Sequence, residues 1–368
     1  MPEVFLKVFL ENGLYYEKRR KLMNNIESVL LSLEKEEISD IHISEGRNVS
    51  YRKDGEIYFM NRGISRNDIV EFTESIGKVK IAGEQEVFEE TDCSFRIGKF
   101  RYRGNIYTQR KSVSISIRRI PGIKTIEELG LPEEINKIFG ITSGIVFITG
   151  PTGSGKTTTL SAIIEHINRN YRKHIITIED PIEYIFESKK SIVTQREVGV
   201  DTQSFSGAIK SSLRQDPDII VIGEIRDAQT MKTALRAAET GHLCIATLHT
   251  TGSMATIERI IGMFSEGEKD KVRYELSIVL KAVMSQKLIK SENGRIPVVE
   301  FMNVDKPIAN MIREEKLNQI PNYIYTNKSK GMISMDCQLV DLYRLNRISR
   351  EEMVCQSIDK EYVSKRSV

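Results

Sequence analysis

The run GPTGSGKTT, Gly150 to Thr158, carries the clearest chemistry in the chain. Gly150, Gly155, Lys156 and Thr157 satisfy G-x-x-x-x-G-K-[ST]. The run follows an apolar stretch, GIVFIT, and opens a helical one, TTTLSAIIEHIN, which is the context the motif requires. The glycines let successive backbone N–H groups turn inward as an anion nest at the positive end of the following helix. Lys156 is expected to reach the β- and γ-phosphates of a nucleoside triphosphate, and the Thr157 hydroxyl to ligate Mg²⁺. Gly150, Pro151, Thr152, Gly153, Ser154, Gly155, Lys156, Thr157 and Thr158 are therefore the candidate nucleotide-binding residues.

Binding is not hydrolysis, which also needs a carboxylate on the metal side and another to orient water. Two apolar runs end in acids: HIITIEDPIE delivers Glu179, Asp180 and Glu183, and DPDIIVIGEIRD delivers Glu224 and Asp227. In a doubly wound sheet the carboxyl ends of the strands face the ligand, so both clusters should converge on the glycine loop. Asp227 precedes a helical stretch that stops at Gly241 and reads as a helix cap. In TGHLCIATLHTT, His242 and His249 bracket a third apolar run, where a histidine could sense the γ-phosphate or be structural. From Ser94 to Pro121 there are eight basic residues and no acid: Arg96, Lys99, Arg101, Arg103, Arg110, Lys111, Arg118 and Arg119. That stretch fits a solvated sheet face, a nucleic-acid surface with Phe100, Tyr102 and Tyr107 as stacking partners, or arginines that neutralise phosphoryl-transfer charge, in cis or from a neighbouring subunit.

Two kinds of element must position these groups. Residues 24–37 pattern as an amphipathic helix, and SDIHIS alternates as a half-buried strand. VSYRKDGEIYFM reads as a hairpin turning at Asp54-Gly55, residues 67–76 as a helix, and CSFRI, KFRYRGNIYTQR and SVSISIRRI as antiparallel strands. This first block is a small α+β domain ending near Pro121. PGIKTIEELGLPEEINKIF, with two prolines among its charges, reads as a linker. Beyond it, solid apolar runs between helical stretches indicate a parallel sheet covered on both faces. From about Lys281 the pattern is mostly helical.

The 368 residues suit two domains. With 54 Lys+Arg against 51 Asp+Glu the formal net charge is +3, too balanced for a nucleic-acid coat or a polybasic membrane tail. The N-terminus is too charged for a secretion signal, and no apolar run approaches the ~20 residues of a membrane helix. Four scattered cysteines without a C-x-x-C pair fit a reducing compartment and weigh against a Cys-ligated zinc site. These features read as a cytoplasmic globular protein.

The order of motifs resembles the type II/type IV secretion ATPase superfamily and, within it, the retraction ATPases of type IV pili. GPTGSGKTTT is similar to the family's Walker A, ITIEDPIEY to its Asp box, RQDPDIIVIGEIRD to its Walker B and AAETGHLCIATLHTT to its His box. SDIHI and FRYRGNIYTQR are similar to its N-terminal markers. The resemblance implies an α/β fold: a RecA-like P-loop NTPase core (133–368, its C-terminal part helical) behind a PAS-like α+β domain (23–121) and a hinge (122–132). It implies a homo-hexamer that hydrolyses ATP with Mg²⁺, held by Thr157 and Glu224. Glu183 falls where the family polarises water, Glu224 on the Walker B glutamate, and His242 and His249 on the His-box pair. Arg101, Arg103, Arg110 and Arg118 fall among N-domain arginines that reach nucleotide.

The implied function is pilus retraction for twitching motility, at the cytoplasmic face of the inner membrane, through a pilus platform protein and without direct nucleic-acid contact. The alternative is an assembly ATPase of a pilus, competence pseudopilus or type II secretion system. Against that alternative, the chain carries no tetracysteine motif. PIANMIRE (Pro307 to Glu314) matches the retraction motif AIRNLIRE except at Pro307, Ala309 and Met311. Residues 1–22 exceed the family's usual start.

Overall fold

The computed structural model describes residues 25–36, 38–53, 55–76, 90–98, 100–120, 122–291 and 294–365. The extension 1–22, Lys99, and Asp54 of the expected hairpin turn lie outside them. The chain divides into two compact units, 1–122 and 123–368.

In the first unit, six strands form one antiparallel sheet: β1 (Ile38–Ser44), β2 (Asn48–Lys53), β3 (Glu56–Gly63), β4 (Thr91–Ile97), β5 (Phe100–Gln109) and β6 (Ser112–Ile120). Their spatial order is β3-β2-β1-β6-β5-β4. Alternation sends Ile41, Ile43, Tyr102, Ile106, Ile115 and Ile117 to one face. There they meet Ile26, Val29 and Leu30 of α1 (Asn25–Ser32) and Ile69 and Phe72 of α2 (Arg66–Ser75). Helix α2 starts in a reciprocal capping box of Ser65 and Asp68.

In the second unit, seven strands lie in the order β13-β12-β7-β11-β10-β8-β9. These are β7 (Gly144–Thr149), β8 (His174–Glu179), β9 (Ile192–Glu197), β10 (Ile219–Ile222), β11 (Leu243–Leu248), β12 (Leu280–Ser291) and β13 (Gly294–Asn303). All neighbours run parallel except the edge pair β12 and β13. Strands β7, β10 and β11 are buried at every residue, which is why their sequences read as unbroken apolar runs. Helices α3 (Lys156–Asn170), α4 (Phe205–Ser212), α5 (Ala228–Glu239), α6 (Ser253–Gly262) and α7 (Glu266–Val279) connect them. Asp227 caps α5 through a bond from the Thr230 N–H, as its position suggests.

The segment from about Lys281 corrects the sequence expectation. It opens with the β12–β13 hairpin and turns helical only at α8 (Lys306–Arg313), α9 (Ile320–Thr326), α10 (Met335–Arg344), α11 (Arg350–Gln356) and α12 (Lys360–Ser364). Polar Ser285 and Gln286 interrupt the apolar run of β12, yet both are buried. Their partners lie in distant segments that no local pattern reveals.

Candidate functional site

The site is built along the carboxyl edge of the second sheet. The glycine loop leaves β7 there, with β12 on one side and β11, β10, β8 and β9 following on the other. Gly150 has a φ of 144° and no room for a side chain: a Cβ would stand 2.1 Å from the Gln286 carbonyl oxygen and 2.6 Å from Ser154 Oγ. Gly155, with a φ of 85°, turns the chain into α3, and Lys156 is that helix's first residue. From β12, the Gln286 amide donates to the Ser154 carbonyl (2.7 Å) and accepts from the Thr159 hydroxyl (2.7 Å). Gln286 thus holds both ends of the turn, although its role was not legible in the sequence. Ser154 Oγ is buried inside the turn and has no hydrogen-bond partner among the described residues, an orphan polar atom of the kind a bound polyanion would satisfy.

Lys156 Nζ donates to the carbonyls of Gly150 (2.8 Å) and Pro151 (3.0 Å) and lies 3.4 Å from His249 Nδ1. His249 Nε2 lies 2.9 Å from Glu224 Oε2. An ammonium can only donate and a carboxylate only accept, so the ring must accept at Nδ1 and donate at Nε2. The Walker A lysine, His249 and Glu224 therefore form one hydrogen-bonded chain across β7, β11 and β10. Burial pulls the Lys156 ammonium below its ordinary value, only partly opposed by Glu224. Burial pushes the other way on Glu224, but bonds from Arg226 and His249 outweigh it and hold the carboxyl below the usual range. Arg226, an ion-pair partner of Glu224, was not singled out in the sequence.

Glu183 arrives from the other direction. It lies in the irregular 180–186 segment after β8, entered through a cis Asp180–Pro181 peptide. The buried Tyr184 ties this segment to the start of α3, its hydroxyl 3.3 Å from Thr158 Oγ1. Among the described residues, the Glu183 carboxylate makes no hydrogen bond. Glu179, behind it, is raised by burial despite bonds from Thr177 and Gln195.

Not every candidate converges. His242 and His249 stand at opposite ends of β11, and a six-residue strand separates them by roughly 20 Å. His242 Nδ1 faces the Ala237 carbonyl (3.2 Å) and Thr240 Oγ1 (3.1 Å) at the C-terminus of α5. The two histidines are therefore not brought together within one chain, and of the pair His249 is the one beside Lys156.

In the first unit, alternation places Arg101, Arg103 and Arg118 on the sheet face opposite its core. Arg110 lies in the β5–β6 turn with a φ of 49°. Arg118 bonds Asp40 (2.8 Å) and Arg101 bonds Ser94 (2.7 Å). Arg119 differs: it caps the carbonyls of Leu33, Glu34 and Glu36 behind α1 and covers the Phe100 ring, a structural use.

The donor set suits a small hard cation that keeps other ligands. Thr157 and Glu224 offer one hydroxyl and one carboxylate, leaving further positions for phosphate oxygens and water, as Mg²⁺ prefers. Among the described residues no cluster of three or more His, Cys, Asp or Glu could hold a metal by itself.

Residues 16–344 match the family described as type II/IV secretion system proteins. The chain belongs to this family. It is 42% identical over 331 residues to the type IV pilus retraction ATPase PilT of Pseudomonas aeruginosa, covering 89% of this chain and 96% of that protein. It is 45% identical over 266 residues to a twitching motility protein of Neisseria gonorrhoeae, covering 71% of each. The crystal structure of the pilus retraction motor PilT with bound ADP superposes with a TM-score of 0.82 at 37% identity, covering 92% of this chain and 99% of that one. The expected fold class, an α/β P-loop ATPase core with an α+β N-terminal unit, is borne out. No helix among the described residues is long and apolar enough to cross a membrane.

Proposed function

We propose that this protein is a Mg²⁺-dependent ATPase motor that powers retraction of type IV pili and hence twitching motility. The observation that carries the reading is the chain from Lys156 through His249 to Glu224, with Glu183 on a neighbouring segment that Tyr184 ties back to Thr158. Similarity to PilT along nearly that protein's whole length favours retraction over assembly.

The nucleotide occupies the 150–158 turn. Phosphate oxygens replace the Gly150 and Pro151 carbonyls as acceptors for Lys156. Thr157 and Glu224 would hold Mg²⁺, which would supply neutralisation of phosphate charge. Glu183 accepts a hydrogen bond from the attacking water and takes its proton as the γ-phosphorus–bridging-oxygen bond breaks. His249 links Lys156 and Glu224, so that γ-phosphate loss is felt by both. In the first unit, Arg103 and Arg118 stand directly opposite on the outer face of β5 and β6, with Arg118 also paired to Asp40 on β1. We assign that face, with Arg101 and Arg110, to a nucleotide held by a neighbouring subunit of a homo-hexamer. The swing of residues 23–121 against 133–368 about the 122–132 hinge would act on a membrane platform protein from the cytoplasmic side.

A gene deletion tests the biological assignment. Cells that keep pili but lose twitching, restored by the wild-type gene and not by Lys156→Ala, support retraction. Bald cells would make the protein an assembly motor.

A further inference from the structure

The 180–186 segment has no strand or helix to fix its course, yet a water-orienting carboxylate must be held to a fraction of an ångström. The residues that hold it come from β9. Gln195 lies in register with Thr177 of β8. Its Nε2 donates to the Tyr184 carbonyl (2.8 Å) and to Glu179 Oε1 (3.1 Å), and its Oε1 accepts from the Phe186 N–H (2.9 Å). Both amide protons are used, and on opposite sides of the amide from the accepted bond, so only one orientation of the group satisfies all three partners. Two residues on, Glu197 Oε2 accepts from the Ile182 N–H (3.0 Å). The main chain is thus pinned at 182, 184 and 186, on both sides of a glutamate whose own carboxylate accepts no hydrogen bond among the described residues.

We propose that Gln195 is a positioning residue for ATP hydrolysis, clamping the segment so that Glu183 is held over the phosphate loop. The inference rests on the proposed role of Glu183 in orienting water. The fit is chemical as well as steric. A glutamate at 195 would have the same shape but would turn an acceptor toward the Tyr184 carbonyl and a second carboxylate toward Glu179. Gln195 lies on the far side of β8 from the 150–158 turn, so its loss should spare nucleotide binding.

The test is steady-state phosphate release by the full-length protein, with affinity for a fluorescent ADP analogue measured alongside. Gln195→Glu is expected to lower kcat about tenfold or more while KM for ATP and analogue affinity stay within about twofold, because misplacing a catalytic group costs rate rather than binding. Gln195→Ala, which removes the amide without adding charge, should do the same. Adding Gln195→Ala to Glu183→Gln should cost nothing further, since both act through one carboxylate. If Glu183→Gln is inactive while both Gln195 variants turn over at the wild-type rate, the clamp is refuted and the Glu183 assignment stands. If Glu183→Gln retains wild-type turnover, that assignment fails first. Loss of analogue affinity in step with kcat would make Gln195 a general structural residue and also overturn the proposal.

Discussion

The two acids flanking the glycine loop are held in opposite ways. Glu224 is committed through its carboxylate, which Arg226 and His249 engage directly and keep ionised. Glu183 is committed through its main chain, while its carboxylate accepts nothing among the described residues. The difference matches two chemical tasks. An acid that balances cationic charge works best already ionised and oriented by charges. An acid that takes a proton from water must keep its lone pairs available, so it can be fixed only from behind. A neighbouring cation would bind those lone pairs and weaken it as a base.

The comparison is broken most severely at the lysine the Glu224 side serves. Lys156→Ala removes at once the ammonium proposed to neutralise the transferred phosphate and the donor to His249. We expect kcat/KM for ATP to fall about a thousandfold or more, with nucleotide affinity falling too. Phosphate release and equilibrium binding of ADP measure the two parts. Glu183→Gln keeps the shape and the main-chain bonds but removes the base. Its kcat should drop about a hundredfold or more while ADP affinity stays within about twofold, the contrast expected of a group used only in the transition state. Equal losses of affinity in both variants would erase the distinction between the two sides.

The Glu224 side was the more legible in sequence, for a physical reason. Buried parallel strands spell themselves as apolar runs, and acids and histidines at their ends stand out against them, so Glu224, Glu183 and His249 could be marked before the fold was known. Direction along a strand was harder to use. His242 carries the same residue type beside the same run, but a parallel strand has a ligand end and a far end, and only His249 lies at the former. The residues that secure the site left weaker marks. Gln195 sits in VTQRE, a partly exposed strand with no apolar excess, and Gln286 sits in a strand whose buried polar residues mimic a helical pattern. Each is paid for by partners 9 to 132 positions away in the chain, beyond the reach of local periodicity. In the first unit, alternation separates core from surface down to single arginines: Arg119 continues the inward set Val113, Ile115 and Ile117 and folds back onto α1, whereas Arg103 lies on the outer face.

The smallest expected effect gives the finest test. Burial raises the Glu224 carboxyl, and Arg226 and His249 more than reverse it, so its value in the folded protein lies below the ordinary one. A depressed carboxylate contributes stability that is present above the ordinary carboxylate value and lost as pH falls through the lowered folded value. The Arg226 side chain is 65% exposed, so solvent screens the pair. Arg226→Ala should therefore cost no more than about 1 kcal/mol at neutral pH. Melting curves of wild type and variant should differ slightly at neutral pH and approach one another in acid, as Glu224 takes up its proton and the pair loses its charge. A gap for Arg226→Ala that stays constant into acid would mean that Arg226 acts by packing rather than by charge.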